Sequence, residues 1–173
     1  GYDYMEHLFD YFKDHNVTVG SNSGQVASDT IADFTMTLLI AVARRVFQAA
    51  AMLKKGERSP MTQHTVHVTG SVMGIIGMGS IGMSIAKRAH HGFDMKILYH
   101  NRKQKSQENE GIVKATYYKN LRDMLPLCDF IVIACDLNDQ SKKMLSWEEF
   151  ASMKNTCILV NIARGAVVDT EAL

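Results

Sequence analysis

The apolar residues of this chain follow two rhythms, and the change between them comes near Gly70. Before it the spacing is helical. Residues 4–15 alternate aromatic and charged side chains at helical intervals, and Val17-Thr18-Val19 predicts a short strand ahead of a Gly/Ser/Asn turn at Gly20 to Gly24. Ser28 as capping residue, Asp29 in the first turn and a long apolar body predict a single helix that closes at Lys54-Lys55-Gly56. Residues 57–69 are polar, carry Pro60 and read as a connector.

Beyond Gly70, short apolar runs alternate with amphipathic segments. Strands are predicted over 72–76, 95–99, 130–134 and 157–161, and helices over 80–90, 121–125 and 146–153. The last helix opens on a capping box, Ser146-Trp147-Glu148-Glu149, and another helix is predicted to start at Asp169 or Thr170. The charged stretch 102–110 reads as a loop, and no internal repeat is visible. Alternation of this kind implies parallel pairing, hence an α/β fold with a doubly wound parallel sheet. The sheet domain is expected over 25–173, incomplete at its C-terminal end.

Composition narrows the class. The chain has 173 residues, 46% of them apolar, and two prolines, the profile of an ordered globule with room for one sizeable core. A net charge of +1 supplies no global field toward nucleic acid or an anionic membrane. The longest apolar stretch, 34–43, is about half of a bilayer crossing and runs straight into Arg44 and Arg45. Cys128, Cys135 and Cys157 make an odd count, which favours reduced thiols and a cytoplasmic setting. No Cys-x-x-Cys pair is present, and neither His64 with His67 nor His90 with His91 has a third ligand nearby, so no metal is expected.

The chemistry concentrates in Gly77-Met78-Gly79-Ser80-Ile81-Gly82, which follows a predicted buried strand and opens a predicted helix. Gly77 permits a tight turn, Gly79 bares the backbone for a pyrophosphate, and Gly82 lets the helix sit close to the strand. The positive end of the helix and its unpaired N–H groups then favour an anion. The competing reading is a glycine-rich turn with no ligand, and the absence of Gly-Lys-Ser/Thr argues against a nucleoside triphosphate loop.

At the tip of the second strand an acidic residue would hydrogen-bond the ribose of NAD. Here the position is His100, followed by Asn101, Arg102, Lys103 and Lys105. Cations without that carboxylate suit a 2′-phosphate and point to NADP, with NAD possible; a solvated basic loop is the plain alternative.

Three segments carry a family resemblance: Gly74 to Gly82, Cys128 to Ala134, and Val160-Asn-Ile-Ala-Arg-Gly-Ala-Val-Val-Asp169. They resemble the D-2-hydroxyacid dehydrogenases, and Val19-Gly20 to Arg45, with Ser28-Asp29-Thr30-Ile31-Ala32-Asp33 inside it, resembles the glyoxylate and hydroxypyruvate reductases. The resemblance covers nearly all of the chain but only the middle of a family member. It implies a Rossmann, NAD(P)-binding domain, the remnant of a flavodoxin-like substrate domain at 1–24, a homodimer at full length, and hydride transfer to a 2-oxo acid.

It also implies roles. Arg164 would grip the carboxylate and carbonyl of the substrate and polarise the carbonyl for hydride attack; otherwise it is a surface residue of a tight Arg-Gly turn. Ser80 and Ile81 would meet the pyrophosphate, Cys135 and Asp136 a ribose, Thr30 the nicotinamide-side phosphate, and Ile162 and Ala163 the nicotinamide. Gly1 matches a glycine whose backbone holds the substrate carboxylate. Asp136 stands where a small residue or proline is usual, and Arg58 near a usual tryptophan. The family's proton-donating histidine and its glutamate partner would fall beyond Leu173, so His90, His91 and His100 read as surface residues and the chain by itself as inactive. The other class of function with the same features is a non-catalytic dinucleotide-binding module that contacts protein partners, as the family's corepressors do.

Overall fold

The computed structural model describes residues 8–18, 25–57 and 65–173. Its centre is a five-stranded, all-parallel sheet in the order β3-β2-β1-β4-β5. The strands are β1 (Val72–Ile76), β2 (Lys96–His100), β3 (Thr116–Tyr117), β4 (Phe130–Ile133) and β5 (Ile158–Asn161). This is the order of the first five strands of a doubly wound dinucleotide-binding sheet, and it reverses between β1 and β4, where such sheets collect ligands.

The helices in chain order are α1 (Phe9–Asp14), α2 (Gln25–Ala43), α3 (Val46–Lys54), α4 (Ser80–Phe93), α5 (Gln107–Val113), α6 (Leu121–Met124) and α7 (Trp147–Ser152). Because side chains alternate across a strand, each central strand feeds two cores. Met73, Ile75, Phe130 and Val132 pack with Ala32, Met36 and Leu39 of α2 and with Ile85, Ala86 and Ala89 of α4. Ile76, Ile131 and Ile133 pack on the opposite face with Leu121 and Met124 of α6 and with Leu145 and Val167. Helices on both faces are what keeps a parallel sheet out of water.

Several expectations are corrected. The predicted single helix over 28–56 is two helices, α2 and α3, separated at Arg44 and Arg45, where Arg45 takes a left-handed conformation at φ 53°. Ser28 does not cap: it lies inside α2 and is buried. Asp29 and Asp33 instead reach across to Arg88 of α4, at 3.2 and 2.6 Å. The apolar reach of α2 is also longer than the 34–43 stretch suggested, since Val26–Ala43 is long and apolar enough to cross a membrane by length and composition. Its buried face against α4 and the sheet identifies it as a core helix.

Of the predicted N-terminal strand, Val17 and Thr18 are not in a strand, while Val19 and the turn at 20–24 lie outside the described residues. The helix expected over 4–15 is described from Phe9 to Asp14. Within the supposed charged loop 102–110, α5 begins at Gln107; Ser106 caps it, its hydroxyl accepting from the Asn109 N–H. Abundant charge concealed this cap, and the two-residue β3 was too short for any periodicity to show. No helix starts at Asp169 or Thr170 within the chain; a 3₁₀ turn at Gly165–Val167 leads into turns there. The capping box at Ser146 forms as read, with the Glu149 carboxylate accepting from the Ser146 N–H at 3.2 Å.

Candidate functional site

The glycine loop sits between the C-terminal ends of β1 and β4. Gly77 has φ +100°, and a Cβ there would meet the backbone of Ala134 and Cys135 at 2.6–2.7 Å, so both conformation and space demand glycine. A Cβ on Gly82 would collide with the Gly77 carbonyl, which is how this glycine lets α4 start against the end of β1. Gly79 differs: nothing lies within 4 Å of its would-be Cβ. Its bareness answers to no neighbour among the described residues and leaves the backbone open to a ligand. Gly79 is the N-cap of α4, and no side chain caps that end. The first-turn amides of a 14-residue helix therefore face the open side, an arrangement that suits a pyrophosphate.

A cleft of about 880 Å³ opens from this loop. One wall is the glycine loop itself, Gly77 to Gly79; the second is the tip of β2, His100 to Lys105, backed by Tyr117 and Lys119; the third follows β4, with Ala134, Cys135 and Asp136. The volume falls within the range of small-molecule and cofactor sites. Of the residues expected from the sequence, the cleft brings together Gly77, Gly79, Asn101, Arg102, Lys103, Cys135 and Asp136. Ser80, Ile81 and Gly82 stand beside it in the first turn of α4.

The remaining expectations fall elsewhere. Thr30 does not line the cleft; its hydroxyl donates back to the Val26 carbonyl within α2, at 3.0 Å. Ile162, Ala163 and Arg164 follow β5 at the same C-terminal edge of the sheet, outside the cleft lining. Arg164 is exposed and its Nη1 donates to the Ala163 carbonyl at 3.0 Å. Gly1 and Arg58 lie outside the described residues. His91 is exposed as expected, but His90 and His100 are half-buried rather than on the surface. His90 Nδ1 bonds the Met95 carbonyl at 3.1 Å, and His100 Nδ1 the Tyr118 carbonyl at 3.0 Å.

Two loops at this edge of the sheet are held by residues that sequence reasoning passed over. Asn161 braces the turn after β5 from both sides, its Oδ1 accepting from the Ala163 N–H at 2.9 Å and its Nδ2 donating to the Arg164 carbonyl at 3.0 Å. Its place beside Arg164 in the quoted motif was the available signal. Buried Ser141 donates to the Asp136 carbonyl at 2.7 Å, and Asn138 Oδ1 accepts from the amides of Gln140 and Ser141, which shapes the loop after β4. Burial pushes the Cys135 thiol above the ordinary cysteine range. Arg102 and Lys103 are exposed, with no ion pair to either among the described residues. Groups of three or more His, Cys, Asp or Glu side chains able to hold a metal ion are absent among the described residues.

Comparison with known proteins agrees with this geometry. The family model described as D-isomer specific 2-hydroxyacid dehydrogenase, NAD binding domain, matches residues 36–173. A glyoxylate reductase of Thermococcus kodakarensis is 40% identical over 160 residues, covering 88% of this chain and 47% of the relative. A glyoxylate/hydroxypyruvate reductase B of Enterobacter agglomerans is 42% identical over 151 residues, covering 86% and 46%. Among solved structures, a Polaromonas protein assigned to the D-isomer specific 2-hydroxyacid dehydrogenases superposes with TM-score 0.88 at 30% identity, covering 99% of this chain and 53% of that one. The chain spans about half the length of the curated relatives it matches. With the strand order, the bare Gly79 and the matched segment in agreement, this chain belongs to the D-isomer specific 2-hydroxyacid dehydrogenase family and comprises a nicotinamide-dinucleotide-binding domain of it.

Proposed function

We propose that the protein to which this domain belongs is an NADP-dependent reductase that converts glyoxylate, hydroxypyruvate or a related 2-oxo acid into a D-2-hydroxy acid. The observation that carries the NADP reading is the cation-lined end of the cleft. Arg102, Lys103, Lys105 and Lys119 line it, while His100 occupies the β2 tip where a carboxylate would select the ribose of NAD. Asp136, on the β4 side, is the one carboxylate lining the cleft among the described residues.

The bound nicotinamide would supply the hydride. The domain's own residues bind and orient: the amides at Gly79 to Gly82 take the pyrophosphate, and the turn after β5 presents Ile162 and Ala163 to the nicotinamide. Arg164, on that same turn, would pair with the substrate carboxylate and polarise its carbonyl. Residues 1–24 would belong to the substrate domain, with Gly1 holding the substrate carboxylate. Thr30 is assigned to the nicotinamide-side phosphate on the resemblance alone.

The assembly we propose is a homodimer. Phe34, Phe47 and Leu53 on α2 and α3 support it, each a large apolar side chain more than half exposed. The free thiols Cys128, Cys135 and Cys157 support a cytoplasmic site of action.

The deciding experiment uses the full-length protein. NADPH and NADH are titrated calorimetrically, and turnover of glyoxylate and hydroxypyruvate is measured for the wild type and Arg164→Ala. Tighter binding of NADPH and a loss of at least about a hundredfold in kcat/KM for Arg164→Ala are the expected results. Firm cofactor binding without turnover of any 2-oxo acid would refute the enzyme reading and leave a binding module.

A further inference from the structure

Tyr99 is wholly buried in the middle of the α2/α4 core, in the company of Ile97 and Met73, where a phenylalanine would serve packing equally well. Its hydroxyl nevertheless has two partners, and both lie outside the sheet. It donates to Glu110 Oε1 of α5 at 2.7 Å and accepts from the Lys105 N–H at 2.8 Å. Gln104 Nε2 donates to the same Glu110 oxygen at 3.0 Å. One end of the segment 101–105 is thereby tied into the core.

The other end is tied by a second tyrosine. Tyr117 of β3 packs its ring against Tyr99, with centroids 5.3 Å apart, and its hydroxyl donates to the Asn101 carbonyl at 3.0 Å. Between the two ties stand Arg102 and Lys103, exposed and lining the cleft. With Lys105 they form a cluster of like charges that repels itself and would extend a free loop. Two phenolic bonds at its ends hold the cations together before any ligand arrives, which reduces the ordering cost of binding an anion there.

We infer that Tyr99 and Tyr117 are positioning residues for cofactor discrimination, clamping the two ends of the 101–105 loop so that Arg102 and Lys103 meet a phosphate on the adenosine ribose. The inference rests on the NADP reading of this loop. Burial, with Glu110 next in effect, pushes the Tyr99 phenol up to about 12, so it stays protonated and able to donate throughout the neutral range.

The test measures Kd for NADP⁺ and NAD⁺ by calorimetry on full-length wild type, Tyr99→Phe, Tyr117→Phe and Arg102→Ala, with a melting temperature for each. A merely structural tyrosine would alter both affinities alike or neither. Tyr99→Phe, which removes both hydrogen bonds of the hydroxyl and so frees one end of the loop, is expected to weaken NADP⁺ about three- to tenfold, with NAD⁺ within about twofold of wild type. Arg102→Ala should reduce the same preference by more. If Arg102→Ala lowers the preference and Tyr99→Phe does not, the clamp is wrong and the NADP reading survives. If Arg102→Ala leaves the preference intact, the NADP reading falls and the clamp with it. Should Tyr99→Phe fail to fold, half-buried Tyr117→Phe decides by the same criterion.

Discussion

The side-chain oxygen of Asn101 accepts a hydrogen bond from the Met78 amide at 2.7 Å. This bond joins the tip of β2 to the glycine loop, and the Gly77 N–H adds a second tie by donating to the His100 carbonyl at 3.0 Å. The glycine loop and the start of the cationic loop are thus tied to each other by two hydrogen bonds. Removing the Asn101 carboxamide should loosen the cradle under either cofactor. Asn101→Ala is therefore expected to weaken NADPH and NADH by a similar factor, about tenfold, in a calorimetric titration. A change in their ratio alone would place Asn101 in phosphate discrimination instead.

The glycines of the cradle should separate folding from binding. At Gly77 a methyl group meets backbone at 2.6 Å and the φ is positive, so Gly77→Ala should cost about 3 kcal/mol in denaturant unfolding. At Gly79 a methyl group meets nothing. Gly79→Ala should then melt within a degree or two of wild type yet lose more than about tenfold in cofactor affinity, because the methyl occupies the approach to the backbone. Equal affinity for Gly79→Ala and wild type would remove the pyrophosphate from this position.

Asp129 supplies a prediction about acid. Burial tends to raise its pKa, but the Lys154 ammonium at 2.8 Å and the Val72 N–H at 2.9 Å outweigh that and hold the carboxyl below its ordinary value. A depressed native pKa adds stability above the unfolded carboxylate pKa of about 4, and this stability drains away as pH falls through the lower native value. Asp129→Asn should cost about 1 kcal/mol near pH 7. The gap between variant and wild type should close as the pH drops below about 4 in urea titrations. A gap independent of pH would mean that packing, and not charge, makes the difference.

Thiol chemistry should report on the cleft. Burial drives Cys128 up to about 12 and Cys157 up to about 11, so neither should react appreciably with iodoacetamide at pH 8 in the native state. Cys135 is half-buried, as Cys157 is, but lines the cleft. Its slow alkylation, followed by peptide mass spectrometry, should slow further when saturating NADPH is added. Equal rates with and without cofactor would put the bound dinucleotide elsewhere.

The four longer strands, helix α4 and the glycine loop were legible in the residues themselves. Buried parallel strands write apolar runs such as Phe130–Ile133 into the chain, and the glycine spacing 77, 79, 82 states where backbone must come close. Two elements were not legible, because a two-residue strand such as Thr116–Tyr117 and a helix as charged as Gln107–Val113 take their stability from neighbours rather than from local pattern.

What tertiary structure alone decided is which polar groups meet the loop 101–105. Tyr99 and Tyr117 look like ordinary strand residues in the sequence, and only the pairing of β2 with β3 sets both hydroxyls on one loop. Arg45 reads as one more residue of a long helix until its left-handed backbone separates α2 from α3. Periodicity records which face of an element is dry, since burial is paid for residue by residue along the chain. Hydrogen bonds between residues distant in sequence leave no such record, because a hydroxyl or carboxamide at a given position is compatible with many partners until the fold selects one.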